Sequence, residues 1–152
     1  MLDSIEFSVA KHLSDDFWQQ TILRFITLRL PIDLPYDILK FRSEIDDIHV
    51  VGTLNGRVIA ALVLTKADSD TVKLRSVGVY PDLQRTGVGS KLMQFGEVKA
   101  REAGFKEIVL HSRESVVRFY EKEGYLVTST QFLEVGIPHI RMVKKLFESA
   151  RA

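Results

Sequence analysis

The chain reads as an α/β (α+β) fold, a mixed sheet with helices on both faces, because turn-linked apolar runs come first and helix-separated runs follow. The first signal is Asn55-Gly56, set between the apolar runs 49–54 and 58–64. That dipeptide is favoured in two-residue type I′ turns, so the runs should form a hairpin. The second is the order strand, glycine loop, helix: 71–79 is apolar, 84–89 carries two glycines, and about 88–103 has helical periodicity.

The other elements follow in order. Residues 6–9 suit a short first strand. Asp15 and Asp16 give the next helix an acidic start, and its apolar positions run through Phe17, Ile22, Phe25 and Ile26. Pro31 and Pro35 break the chain, and 36–41 suits a second short helix before the acidic stretch Glu44-Ile45-Asp46-Asp47. Asp68-Ser69-Asp70 turns the chain into 71–79, and Gly104 caps the long helix in a left-handed conformation. Residues 108–110 read as a buried strand and 115–123 as a helix capped by Gly124. The runs 126–135 and 139–146 form a last hairpin through Gly136-Ile137-Pro138. There is no repeat, low-complexity segment or linker.

With 152 residues and 45% hydrophobic content, residues 1–152 suit one domain with a sizeable core. Lys and Arg total 21 against 20 Asp and Glu, a net charge of +1 without a long like-charged block, so no nucleic acid partner is indicated. The absence of cysteine excludes thiolate chemistry, disulfides and cysteine-ligated metals. The histidines, His12 included, show no ligand spacing, so no metal is expected. The longest apolar run, 58–64, is far short of the roughly 20 residues that span a bilayer. Asp3 and Glu6 stand where a signal peptide would be apolar. The expectation is a soluble cytoplasmic protein without a membrane partner.

Gln84-Arg85-Thr86-Gly87-Val88-Gly89 is the most informative segment. Alternate glycines bring successive backbone N–H groups together, and the following helix adds its unsatisfied donors and positive dipole end. The guest should be a phosphate or pyrophosphate. A P-loop needs Lys-Ser or Lys-Thr after its last glycine, but Ser90 and then Lys91 follow Gly89; a Rossmann fingerprint needs a glycine where Leu92 stands.

The segment resembles the acyl-CoA loop of the GNAT superfamily of N-acyltransferases, whose pattern is Gln or Arg, two residues of any kind, Gly, any residue, then Gly or Ala. Leu74-Arg75-Ser76-Val77-Gly78-Val79-Tyr80-Pro81 resembles that family's fourth strand. Phe119-Tyr120-Glu121-Lys122-Glu123-Gly124-Tyr125 resembles its final helix and turn. The likeness is specific over 72–125, looser over 49–64 and faint before His49. It implies a GNAT-like, mostly antiparallel central sheet of six to seven strands flanked by about four helices. It also implies acetyl-CoA as cosubstrate and a primary amine of a small molecule or peptide as acceptor.

Carried onto this sequence, the resemblance places the CoA pyrophosphate on the segment Gln84, Arg85, Thr86, Gly87, Val88, Gly89 and Ser90, held by backbone N–H groups from about Arg85 to Ser90. Val77, Gly78 and Val79 fall where the family's strand bulges and turns backbone groups toward the pantetheine and the thioester carbonyl, which supplies an oxyanion donor. Gly78 either admits a ligand or relieves crowding. Tyr120 falls where the family's tyrosine faces the CoA sulfur as general acid. A phenol of pKa about 10 is a modest acid for a thiolate whose conjugate acid is near 8.5. Arg113 departs from the pattern: the family often has asparagine there, and Val116 takes the usual alanine position. Arg113 either reaches a CoA phosphate or faces solvent.

Attack requires a neutral amine, hence a base or a proton-carrying water chain. The candidates are Glu44, His49, His111, Glu134 and His139. Glu44 and His139 lead: 134–139 resembles a turn of a bacterial subgroup of the family, and 44–49 resembles that subgroup's entry into its second strand. Without cysteine, direct transfer in a ternary complex is favoured over an acyl-enzyme. The rival is a non-catalytic acyl-CoA-binding or regulatory module on the same fold, and a generic nucleotide-binding protein is a third reading. A homodimer through a sheet edge or the closing strands is compatible with the pattern.

Overall fold

The computed structural model describes residues 4–29, 31 and 44–147. They separate into two units, one from the chain up to Thr65 together with Arg75–Gly96, the other from Lys66–Leu74 together with Glu97 onward. The short helix expected over 36–41, and the break at Pro35, lie outside the described residues.

In the first unit, β1 (Glu6–Ala10) pairs antiparallel with β2 (Ile48–Leu54), from Glu6 opposite Thr53 to Ala10 opposite His49. β2 pairs antiparallel with β3 (Arg57–Lys66) through the expected turn, whose Asn55 and Gly56 have φ of 52° and 77°. Val50, Val51 and every residue of 58–64 are buried, so the unbroken apolar run is a strand covered on both faces.

Ser14 caps α1 (Asp15–Arg24): the Phe17 N–H donates to its Oγ at 3.3 Å. The helix forms as expected, but its buried stripe differs. Phe17, Gln20, Thr21 and Arg24 turn inward at helical spacing, whereas Ile22 and Ile26, expected in the core, are exposed with Trp18. The polar residues turn inward because Arg24 and Gln20 meet buried partners there. A π-helical turn, Phe25–Arg29, follows.

β4 (Thr71–Val79) begins in the second unit and ends in the first, followed by a 3₁₀ turn (Pro81–Leu83), the glycine loop and α2 (Val88–Glu102). A Cβ on Gly96 would lie 3.0 Å from Leu62, so glycine there lets α2 lie close on β3.

In the second unit, the start of β4 pairs parallel with β5 (Glu107–Arg113), from Thr71 opposite Glu107 to Leu74 opposite Leu110. β5 pairs antiparallel with β8 (Ile137–Lys145), from Glu107 opposite Lys145 to Arg113 opposite His139. The helix expected over 115–123 is a 3₁₀ turn (Glu114–Val116) running into α3 (Val117–Lys122). Gly104 and Gly124 follow their helices at φ of 91° and 94°, as left-handed caps do. Val72, Leu74, Ile108, Leu110 and Met142 form the buried apolar face.

The run expected as one strand over 126–135 is two, β6 (Leu126–Val127) and β7 (Phe132–Glu134), both on β8. Between them the Arg141 N–H donates to the Ser129 Oγ at 2.9 Å, so a side chain takes a bond that a continuous strand would take with its carbonyl. The closing turn is Val135-Gly136 (φ 46° and 75°), and Ile137 and Pro138 already belong to β8. Among the described residues there are eight strands in a mixed sheet and three α-helices, where six to seven strands and about four helices were expected.

Candidate active site

The glycine loop is built by two left-handed residues. Arg85 has φ 64° and Gly87 φ 91°, and the alternation of hands gathers backbone N–H groups on one side. Two side chains fasten it: Thr86 Oγ1 donates to the Leu83 carbonyl at 2.5 Å, and Gln84 Nε2 to the Val79 carbonyl at 3.0 Å. Gln84 is thus spent on the backbone at the end of β4. Val88 is buried and anchors α2, whose first intrahelical bond is Lys91 N–H to the Gly87 carbonyl at 3.2 Å. Val88 and Gly89 open the helix. Gly89 lies within α2.

β4 departs from extended geometry one residue before the expected place. Ser76 has φ 55°, and the Arg24 Nη2 donates to its Oγ at 3.3 Å. Gly78 itself is crowded: a Cβ there would lie 2.7 Å from the Thr27 Oγ1 in the π-helical turn. Of the two readings of Gly78, close packing is the one this contact accounts for; Val77 and Val79 flank it on the strand.

Glu44 sits in a buried ion network. Arg24 donates to both of its carboxylate oxygens, at 3.0 and 2.8 Å, and Arg75 donates to Oε2 at 2.8 Å and to Asp47 Oδ2 at 3.2 Å. Burial pushes the Glu44 carboxyl up, but the hydrogen bonds and charges of Arg24 and Arg75 together hold it below the ordinary value. A carboxylate so held is a poor proton acceptor, and this geometry suits a clamp better than the base expected of it. The Arg24 Nε is buried with no partner among the described residues.

His49 is also occupied at both ring nitrogens. Gln20 Nε2 donates to Nδ1 at 3.3 Å and Nε2–H donates to the Glu44 carbonyl at 2.9 Å, while burial pushes the imidazole below its ordinary value.

In the second unit, Tyr120 is 8% exposed, with its ring edge-to-face on Phe119 and Tyr125. Burial raises the phenol well above its ordinary value, against a smaller lowering from the Arg113 charge. Tyr120 is therefore a neutral hydrogen-bond donor, and no side chain among the described residues takes its proton. The helix carrying it is fixed by Glu97, which accepts from the Tyr125 hydroxyl at 3.0 Å and from Lys144 Nζ at 2.9 Å.

Arg113 ends β5 opposite His139. His139 is buried; its Nδ1–H donates to the Ile137 carbonyl at 2.7 Å and its Nε2 lies 3.6 Å from Glu134 Oε2. The other Glu134 oxygen accepts from the His111 Nδ1–H at 2.9 Å. Burial alone would raise the Glu134 carboxyl, but the His111 bond and the charges of His111, His139 and Lys73 lower it. Among the described residues no three His, Cys, Asp or Glu side chains converge to hold a metal ion, and no helix is long and apolar enough to cross a membrane.

Sequence reasoning missed Arg24, Arg75, Ser76 and Thr27. The one available signal was the helical spacing of Gln20 and Arg24 with Phe17, which places two polar residues on one stripe with a core aromatic.

A mixed sheet, an irregular fourth strand and a glycine loop opening a helix define the acyl-CoA N-acyltransferase type of α/β fold. Residues 37–146 match the family model for the GNAT acetyltransferase domain. The chain belongs to this family. It is 37% identical over 73 residues to the uncharacterized N-acetyltransferase YjcF of Bacillus subtilis, a match covering 47% of this chain and 52% of that protein. The chain spans about half to three-fifths of the first curated relatives it matches. The fold is shared with Escherichia coli ElaA (TM-score 0.79, 24% identity, 92% of this chain and 99% of that one). It is also shared with a GNAT family acetyltransferase from Elizabethkingia anophelis with acetyl-CoA bound (TM-score 0.74, 18% identity, 94% and 99%).

Proposed function

We propose that residues 1–152 act as one acetyltransferase domain that binds acetyl-CoA and transfers its acetyl group directly to a primary amine of a small molecule or peptide. The family match across 37–146, which runs through residues of both units, supports the single-domain reading. The observation that carries the activity is the loop of Arg85 and Gly87, with alternating backbone hand, leading directly into the N-terminus of α2. That arrangement suits a pyrophosphate, and the family supplies the thioester attached to it. The acetyl-CoA bound to the Elizabethkingia neighbour agrees with this cosubstrate.

In the reaction, the amine nitrogen attacks the thioester carbonyl carbon, the carbon–sulfur bond breaks, and the thiolate takes up a proton. Backbone N–H groups at 77–79 face the developing oxyanion in this reading. The Tyr120 phenol supplies the hydrogen bond or proton at sulfur. With no cysteine in the chain there is no thiol to relay the acetyl group, so both substrates bind before transfer.

Calorimetry with CoA, ATP and NAD tests the cosubstrate, with CoA expected to bind and the other two not. Amine-dependent release of free thiol from acetyl-CoA tests turnover. Acetyl-CoA binding without thiol release for any amine would favour a sensing module instead.

A further inference from the structure

An acceptor amine arrives as an ammonium ion and must lose a proton before it can attack, so acetyl transfer requires a group with a free lone pair. The candidate bases differ in what their acceptor atoms already do. Both oxygens of Glu44 are taken by guanidinium groups. Both nitrogens of His49 are hydrogen-bonded, and the ring is 1% exposed. His139 donates through Nδ1 to a carbonyl, and its Nε2 faces Glu134 from a buried position. Glu134 has one oxygen on each of two histidines. His111 alone among these candidates uses one nitrogen and leaves the other: Nδ1–H points at Glu134, and no described group pairs with Nε2.

The backbone explains why His111 is presented this way. The parallel ladder between β4 and β5 ends at Leu74 and Leu110, and His111 is the next residue of β5. Its opposite on β8 is Arg141, whose guanidinium is engaged with the Thr128 hydroxyl at 2.9 Å. The Val135-Gly136 turn places Glu134 opposite Ile137 and Phe132 opposite His139. Phe132 meets the His111 ring edge-on at 5.1 Å and the His139 ring at 6.2 Å, which limits rotation of both imidazoles. The His111 side chain is 26% exposed, so it is within reach of a solute.

We propose that His111 takes the proton from the acceptor ammonium through Nε2, and that Glu134 is the positioning residue that holds the imidazole in the tautomer able to do so. This rests on the acetyl-transfer reading. The proton leaves the R–NH3⁺ nitrogen for the His111 Nε2 lone pair, giving a neutral amine and an imidazolium beside the Glu134 carboxylate. The amine lone pair then forms the carbon–nitrogen bond as the carbon–sulfur bond breaks; the second nitrogen proton balances the one taken up by the departing thiolate, and the proton held on His111 passes to solvent. The Glu134 carboxylate faces the imidazolium so formed, and Lys73 on β4, Arg113 on β5, and Arg141 and His139 on β8 are the other charged or titratable groups on the elements packed around it. His139, fixed by its own carbonyl bond, stands with Nε2 3.6 Å from the other Glu134 oxygen.

The test is kcat/KM against pH, by thiol release, for the wild type, His111→Gln and Glu134→Gln with an amine that the wild type acetylates. His111→Gln should lower kcat/KM about a hundredfold near neutral pH. It should also lose the acidic limb of the profile and recover at high pH, where the amine is already neutral. Its acetyl-CoA KM should not change. Glu134→Gln keeps an oxygen for the Nδ1–H but removes the charge, so the acidic limb should move to lower pH with a smaller rate loss. That side chain is 41% exposed, so this variant should fold even if His111→Gln does not. An unchanged limb in Glu134→Gln, or wild-type kcat/KM in a folded His111→Gln, would overturn the proposal while leaving acetyl transfer standing. A wild type that releases no thiol with any amine would overturn acetyl transfer and this proposal with it.

Discussion

Arg24 and Glu44 meet through two parallel hydrogen bonds of 3.0 and 2.8 Å, both side chains being almost fully buried. The pair joins the last turn of α1 to the chain entering β2, and through Arg24 Nη2 it also reaches Ser76, where β4 leaves extended geometry. A bidentate pair of this kind fixes geometry as well as charge.

Glu44→Gln should therefore destabilise the protein strongly, because it leaves Arg24 and Arg75 without their shared counter-charge. Losing one partner of a buried pair costs about 3–5 kcal/mol. The folded-state carboxyl lies below its ordinary value of 4.5, so its contribution is complete above that pH and is lost as pH falls through the lowered folded value. Urea unfolding at pH 7 should show the full difference between wild type and variant, and the difference should shrink as the solution becomes acid. A constant difference down to low pH would contradict the ion-pair account.

Gly89→Glu should abolish CoA binding while leaving circular dichroism unchanged. Gly89 lies within α2 and is not at positive φ, so the backbone there accepts any residue, but a glutamate would put bulk and like charge beside the helix N-terminus meant for pyrophosphate. Calorimetry with CoA checks it; wild-type affinity in the folded variant would remove the cradle as the binding site.

Much of this was legible in the sequence because local chemistry decided it. Asn55-Gly56 specified its turn, Gly104 and Gly124 their caps, and 84–89 the loop, each within a few residues. What was not legible depended on distant partners. Ile22 and Ile26 look like core on periodicity alone, yet Gln20 and Arg24 take the buried stripe because His49 and Glu44, far along the chain, await them. The split of β6 from β7 hangs on one Ser129 hydroxyl, which no alternation pattern reveals. Choosing among five bases likewise required knowing which lone pairs were already used.

Arg113→Ala should separate two roles. If Arg113 binds the 3′-phosphate, the variant should weaken CoA more than dephospho-CoA. If it meets the arm or the pyrophosphate, both should weaken equally. Charge-assisted phosphate contacts contribute on the order of 1.5–3 kcal/mol, or roughly ten- to a hundredfold in affinity. Its loss should also push the Tyr120 phenol still higher, since the Arg113 charge now lowers it. Equal binding of both ligands by wild type and variant would leave Arg113 a surface residue.

Tyr120→Phe should fold with near wild-type stability, because the aromatic contacts with Phe119 and Tyr125 survive and no described hydrogen-bond partner is orphaned. If the phenol acts at the thiolate, kcat should fall about a hundredfold with little change in acetyl-CoA affinity. Stopped assays of kcat alongside calorimetry distinguish this from a binding role, and unchanged turnover would make Tyr120 a packing residue.

The central claim, that this GNAT-family chain acetylates amines with acetyl-CoA, is tested most directly by following free thiol release from acetyl-CoA across a panel of primary amines, with the acetylated product identified by mass. The account predicts thiol release that depends on both amine and protein and yields the N-acetyl product in equal amount. Binding of acetyl-CoA with no amine-dependent thiol release and no acetylated product from any amine would contradict it.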